Sequence, residues 1–466
     1  MEQPVMQCLT NRTYDEIEVG ESASLTRRLT RDDISLFAIM SGDVNPAHLD
    51  SEYAAGTPFQ EVIAHGMWGG ALISTVLGTR LPGPGTIYLG QTLEFHRPVK
   101  LGDEIVTTVT VTEKIDKGAR IVFDCVCAKV SGDRVITGTA TVMAPKEKIV
   151  TESKPLPELR LLDRRHMTGL LKQTHDLPPI AAAVVHPVTV HVMNCIEAAV
   201  EAHVMRPTLV GPRHRIEAAA EAASFDISEF EIVDTEHSHA AAAKGVELVA
   251  RGELDTLFKG SLHTDELMGA VLDRSAGLRT DRRISHVYVF DVPTYDRLLM
   301  ITDAAINLEP GIEEKADIVR NVVDFARAIG VETPRVALLS AIETVNPRIR
   351  STTEAAAICK MADRGQIEGG IVDGPLAFDN AVSSAAARIK GIDSEVAGRA
   401  DVLVAPDLEA ANVMAKQLEY LADARGAGVL LGARVPIVLT SRADTPETMA
   451  VSCALAALLH ARGGRR

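Results

Sequence analysis

HGMWGGALISTVLGT, residues His65 to Thr79, is apolar on nearly every side of a helical turn and carries four glycines. A helix of that kind has no face to give to water, so it is expected to be buried, and its small residues let a sheet wrap it closely. The chain downstream supplies the sheet. TIYLGQTLEF, DEIVTTVTVTEKI, ARIVFDCVCAKV and RVITGTATVMA read as strands, joined by glycine-bearing turns at LGD, KGA and SGD. Upstream, Thr30 is placed to cap a helix from about Arg31 to Met40, with Asp33 at the capping-box position. Four consecutive antiparallel strands after one buried helix predict an α+β unit in which a sheet curls around that helix.

Upstream of the helix, separated from it by residues 55–64, stands SGDVNPAHLDSEYA, Ser41 to Ala54, which crowds Asp43, Asn45, His48 and Asp50 around Pro46. If Pro46 turns the chain sharply, Asp43 and His48 reach one point. A carboxylate and a neutral imidazole sharing a water molecule make an acid–base pair suited to adding or removing water. The plainer alternative is that Asp43 caps the end of the preceding helix and Asn45-Pro46 is an ordinary turn. Spacing alone does not separate the two.

YDEIEVGESAS, SGDVNPAHLD, IAHGMW and GTIYLGQTLEFHRPVKLGDEI, in that order and spacing, resemble the MaoC-like (R)-specific enoyl-CoA hydratases over about residues 10 to 143. The resemblance implies a hot-dog fold. It implies that Asp43 and His48 hold and activate the water that adds to C3 of a trans-2-enoyl thioester, one of them returning a proton to C2. The amide of Gly66, at a helix start where free N–H groups and the positive dipole end meet developing enolate charge, would hold the thioester oxygen. Asn45 and Ser74 match supporting positions that orient Asp43 and the pocket. The family's paired subunits imply an oligomer, a dimer or a multiple of dimers.

The 466 residues suffice for two or three domains, and 46% hydrophobic with only 4% aromatic residues predicts cores of Ala, Val, Leu and Ile. A formal charge of -15 argues against nucleic-acid and anionic-membrane partners, which demand basic surface. The six cysteines, without a CxxC, read as reduced thiols of a cytoplasmic chain. The first residues lack the basic-then-apolar pattern of a signal peptide, and no run of 18 apolar residues suggests a membrane span.

APKEKIVTESKPLPELR, Ala144 to Arg160, is charged, holds three prolines and lacks periodicity, so it reads as a linker. The expected division is 1–145, a linker over 146–163, and 164–466. Beyond the linker, strand-like VTVHVM precedes helix-like CIEAAVEAHV, PTLVGP precedes HRIEAAAEAAS, FEIVDTE precedes AAAAKGVELVARG, and DTLFKG precedes HTDELMGAVLD. The rhythm recurs in RVALLSAI, GGIVDGP, ADVLVAP and PIVLTS. Such alternation predicts a mostly parallel sheet covered on both faces, with ligands at the carboxyl ends of its strands. About 300 residues allow two α/β lobes with a cleft between them.

No GxxxxGK[ST] occurs and no GxGxxG follows a strand, which sets aside P-loop and nicotinamide chemistry. HSH at 237–239 lacks a further ligand nearby, so no metal is expected. LFKGSLHTDE, VDGPLAFDNA and VLTSRADTPET each bring a cation, hydroxyls or amides to a helix start, as a phosphoryl oxygen requires. Ordinary turns capped by Thr264 or Thr445 would look the same.

RPTLVGP, KG-HTDELMGAVL, DGPLAFDNAV, ADVLVAPDLEAANVMAKQLEYLA and LTSRADTPETM resemble the phosphate acetyl/butyryltransferases, closest to the butyryl branch, over about residues 165 to 466. That family exchanges acyl groups between CoA and inorganic phosphate on two α/β lobes, one inserted into the other. The resemblance therefore implies lobe 1 at about 164–300 plus 434–466 and lobe 2 at about 301–433. Ser441 and Arg442 fall on the Ser-Arg pair that contacts the reacting thiol and phosphoryl group, the guanidinium matching phosphate oxygens. The chain departs from the acetyltransferase motif at Thr448, where an Asp is the proposed thiol base; Glu447 or Asp444 are the substitutes at hand. Lys259, Thr264 and Asp373 are site candidates from strand-end position alone, and RTDRR at 279–283 reads as an exposed basic turn rather than a CoA-phosphate site.

Together these features predict a hot-dog domain followed by a two-lobed α/β phosphotransacylase domain. The expected substrates are CoA thioesters and phosphate, with no cofactor. The alternative leaves one half as a non-catalytic CoA-binding or dimerising module. A third reading gives the first half to acyl-carrier-protein thioesters.

Overall fold

In a computed structural model the structure describes residues 8–154, 159, 165–439 and 444–463. The chain forms two compact units, Met1–Leu161 and Leu162–Arg466.

In the first unit five antiparallel strands run in the order 22–28, 104–115, 120–129, 134–143, 87–95. They curl around the helix Gly66–Thr79, whose Trp68, Leu72, Ile73, Val76 and Leu77 enter the core opposite Ile121, Phe123 and Ile136. The capping box at Thr30 and Asp33 forms as expected and opens the helix Arg31–Ser41. Small residues are needed where the sheet closes. A Cβ on Gly138 would stand 1.9 Å from the backbone oxygen of Thr92, on the strand bonded alongside.

Two expectations change here. The helix is not buried on every side: Met67 is 47% exposed, and Ala71, Ser74, Thr75 and Gly78 continue one exposed stripe. The five strands stop at the edge strand Ile87–Phe95, which leaves that stripe bare. The segment expected to be linker begins inside the fold. Val150–Glu152 pairs antiparallel with Cys8–Thr10, and the fully buried Asn11 holds it, donating to Glu147 O and accepting from Ile149 N–H, both at 2.8 Å. An amide that satisfies its partner's backbone this way outweighs the segment's linker-like composition.

The second unit is built on one sheet of eleven strands among the described residues. Its order is 232–234, 205–211, 180–185, 256–259, 437–438, 425–431, 285–291, 298–302, 402–404, 335–339, 371–376. The first five are mutually parallel, and so are the last four, but the antiparallel pairings at 425–431 and 285–291 turn the two sets in opposite directions. The hairpin of Ser285–Asp291 and Leu298–Thr302 spans the position at which the resemblance would end lobe 1, so a division before Ser285 respects the hydrogen bonding. One strand is also corrected. VTVHVM is not extended, because the helix Val190–Glu201 starts inside it; the strand is the preceding IAAAVV, Ile180–Val185. The β-branched residues at 190 and 192 mimic a strand, but Val192, Met193, Cys195 and Ile196 bury one helical face.

Candidate active sites

In the first unit the loop before the central helix is assembled from local caps. Asn45 caps the short helix Pro46–Leu49 by accepting from Ala47 N–H at 3.1 Å, with Pro46 at its first turn. Asp50 accepts from Glu52 and Tyr53 N–H and starts the next helix, Ser51–Ala55. Asp43 is held from both sides: its N–H reaches Ser41 Oγ and its Oδ1 accepts from Asn45 N–H, each at 3.2 Å. Its second carboxylate oxygen carries no hydrogen bond within the described residues.

His48 Nδ1 lies 2.9 Å from Ile63 O. A carbonyl only accepts, so Nδ1 bears the hydrogen and the neutral ring keeps its lone pair on Nε2. His65, 3% exposed, sits between the two candidates. Its Nε2 is 3.0 Å from Asp43 O, and its ring lies 4.0 Å from that of His48 and 4.9 Å from that of Phe37. One carboxylate oxygen of Asp43 and one ring nitrogen each of His48 and His65 fall within 4.8 Å of one another. That separation puts a single water within hydrogen-bond reach of an acid and a base at once. His65 stands within the motif IAHGMW, and only its contacts reveal its role.

The cavity beside them holds about 300 Å³ and is lined by His48, His65, Gly66, Gly69, Phe95 and Ile136, among others. Gly66 opens the central helix, where the first amides lack intrahelical acceptors. A Cβ there would meet Phe95 Cε1 at 3.0 Å. Asp43, His48 and Gly66 are thus brought together, with Asn45 positioning Asp43. Ser74 is not: it lies more than two turns along the helix, on the exposed stripe.

In the second unit the carboxyl ends of 180–185, 256–259 and 437–438 are neighbours, with Lys259 level with Val185 and Phe258 level with Val438. Lys259 is buried there at 8% exposure, and Thr264 opens the helix Thr264–Leu272 just beyond. Asp373 is not part of this cluster. Its strand is the outermost of the sheet, seven positions away, a path of about 34 Å at ~4.8 Å per strand. Its carboxylate instead takes hydrogen bonds from Ser394 and from Gly374 N–H. Ser441 and Arg442 lie outside the described residues. Glu447 and Thr448 line a cavity of about 500 Å³ with Arg425, Leu171 and Ala198, and the Thr448 hydroxyl donates to Thr445 O at 2.9 Å.

Other candidates resolve as structure. His237 Nδ1 accepts from Ala240 N–H and caps the helix Ser238–Ala250, so the HSH run serves a helix start. Arg282 pairs with Asp324 at 2.6 Å and Arg283 with Glu314 at 2.9 Å. All six cysteines are free thiols, and among the described residues no helix is long and apolar enough to cross a membrane.

Residues 15–127 match the family model described as MaoC like domain, and residues 238–457 match that described as Phosphate acetyl/butaryl transferase. A phosphate acetyltransferase of Rhizobium meliloti is 56% identical over 284 residues, 61% of this chain and 90% of that protein. The chain belongs to the phosphate acetyl/butyryltransferase family. A phosphate butyryltransferase of Clostridium beijerinckii is 43% identical over 64% of this chain and 99% of its own length. The crystal structure of a branched-chain phosphotransacylase from Enterococcus faecalis V583 covers 61% of the chain at 26% identity with a TM-score of 0.54, 99% of that structure being matched. This family member therefore carries a MaoC-like hot-dog unit ahead of its phosphotransacylase unit.

Proposed function

We propose that the chain is a bifunctional enzyme of acyl-CoA metabolism. The first unit adds water to trans-2-enoyl-CoA to give (R)-3-hydroxyacyl-CoA, and the second exchanges an acetyl or butyryl group between CoA and phosphate. CoA thioesters and phosphate are substrates, and neither reaction calls for a cofactor. The observation that carries the hydratase reading is the Asp43–His48 pair beside the cavity and the helix start at Gly66. Water held between Asp43 and His48 loses a proton to His48 Nε2 as its oxygen bonds to C3. The enolate oxygen takes hydrogen bonds at the helix start, and a proton returned to C2 completes the addition. Asp43→Asn and His48→Gln each remove a proton-transfer group and keep shape. Loss of crotonyl-CoA absorbance should slow by about 10²–10⁴-fold in each. Phosphate-dependent CoA release should stay near wild type. Full hydration by either variant overturns the assignment.

For the second unit, family membership and the Ser441-Arg442 motif support acyl transfer. A guanidinium at Arg442 would neutralise the phosphoryl group in the transition state. Arg442→Gln should then cost roughly 2–4 kcal/mol by analogy with oxyanion donors, about 30- to 1000-fold in rate. Wild-type transfer from butyryl-CoA to phosphate by that variant would misplace the site.

We also propose that two copies pair through the first unit. Its edge strand Ile87–Phe95 leaves Ile87, Leu89 and Phe95 at 44–54% exposure beside the bare stripe of the helix, and an unpaired apolar edge invites a second copy. Sedimentation should show Leu89→Lys shifting the assembly toward smaller species.

A further inference from the structure

At the carboxyl edge of the first parallel set, the ring of His186 is set in place from several sides. His186 follows directly on the strand Ile180–Val185 and has the left-handed φ of 57°. Its N–H donates to Val210 O at 2.7 Å, and its own carbonyl accepts from Ser261 N–H at 2.8 Å. The ring spans two neighbouring strand ends: Nδ1 is 3.2 Å from Ser261 O, while a Cβ on Gly211 would lie 3.8 Å from its Cδ2. Because Ser261 O can only accept, Nδ1 bears the hydrogen and Nε2 holds the lone pair. Nε2 has no hydrogen-bond partner among the described residues.

The surroundings suit an anionic substrate. Buried Lys259 stands level with Val185 on the adjacent strand. The hydroxyls of Thr189 and Ser261 meet at 2.8 Å beside the start of the helix Val190–Glu201. Arg215, from the helix Arg213–Ala223, and Glu266, from the helix Thr264–Leu272, are the charges that act on the ring from the packed helices. Burial holds the imidazole below its ordinary range, reinforced by Arg215 and opposed by the Ser261 hydrogen bond and Glu266. The net shift favours the neutral ring, whose Nε2 lone pair can accept a proton.

We infer that His186 is the catalytic base of acyl transfer, its Nε2 taking the proton of the CoA thiol. The inference rests on the phosphotransacylase reading and supplies the group that Thr448 cannot. Toward acyl-CoA, the S–H proton moves to Nε2 and the thiolate attacks the carbonyl carbon of the acyl phosphate. The C–S bond forms, the C–O bond breaks, and phosphate leaves with the electron pair. In the reverse direction a phosphate oxygen attacks the thioester, the C–S bond breaks, and the imidazolium returns its proton to the departing thiolate.

His186→Asn tests this, because asparagine tolerates left-handed backbone and its amide can still donate to Ser261 O, yet it cannot act as a base. The wild-type rate of butyryl-CoA formation from butyryl phosphate should fall on acidification through a pKa below histidine's ordinary value. In His186→Asn, kcat should drop about 10²–10⁴-fold, that acid limb should vanish, and added imidazole should restore part of the rate. No acyl transfer by the wild-type chain with acetyl, propionyl or butyryl substrates overturns the activity reading and this inference with it. An active wild type lacking the acid limb overturns the inference alone, without need of any variant. So does a His186→Asn enzyme that keeps the wild-type rate, or one that is slower but keeps the limb and ignores imidazole.

Discussion

His65 shows what a residue can do by holding its neighbours in place. Its Nε2 fixes the backbone of Asp43, its ring lies against that of His48, and its Nδ1 is buried without a partner among the described residues. Replacing it by phenylalanine keeps a ring against His48 and drops the bond to Asp43 O. A hydrogen bond of this kind is worth about 0.5–1.5 kcal/mol, so His65→Phe should lower the kcat of crotonyl-CoA hydration by roughly 2- to 13-fold at nearly constant KM. An unchanged kcat would mean that Asp43 is positioned by Ser41 and Asn45 alone. Asp43 and His48 were legible because proline, acid and imidazole stand within one short loop. His65 and His186 were not, since a histidine's role depends on which carbonyl takes its hydrogen, and Asp43 and Ser261 come to these rings only through folding.

Among the elements, tolerance to change depends on how closely neighbours approach. Gly138 faces the Thr92 carbonyl, a backbone atom that cannot rotate away. Gly138→Ala should therefore destabilise the first unit by about 1–3 kcal/mol, read as a lower urea midpoint for its transition. In the second unit, Lys315 on the helix Ile312–Ala328 and Glu354 on the helix Arg350–Asp363 form an ion pair of 2.5 Å, with side chains 6% and 7% exposed. Arg350 adds a second contact to Glu354. Glu354→Ala strands the buried Lys315 ammonium and should cost about 3–5 kcal/mol. Replacing both partners by apolar residues should recover most of that loss, a contrast a thermal-unfolding series measures directly.

Across the whole molecule, each unit closes its own core: the buried apolar cluster of the first runs from Ile17 to Ala144, and those of the second begin at Met167. Cutting near Lys154 should yield two fragments that fold independently, each keeping its own activity. An insoluble 160–466 fragment from a soluble chain would show that the two share stability. Local pattern alone determined the strand runs at 87–143, the capped helix after Thr30, most of the strand–helix rhythm of the second unit and the acid–imidazole loop. These follow from periodicity, caps and turn residues that act over a few positions. Only the tertiary structure decided the bare face of the central helix, the docking of 150–152 on 8–10, the reversal of direction within the eleven-stranded sheet, and the separation of Asp373 from Lys259. Each depends on which strands become neighbours, and pairing between segments a hundred or more residues apart is chosen by burial and backbone hydrogen bonding over the whole fold, where no short window of sequence carries the information.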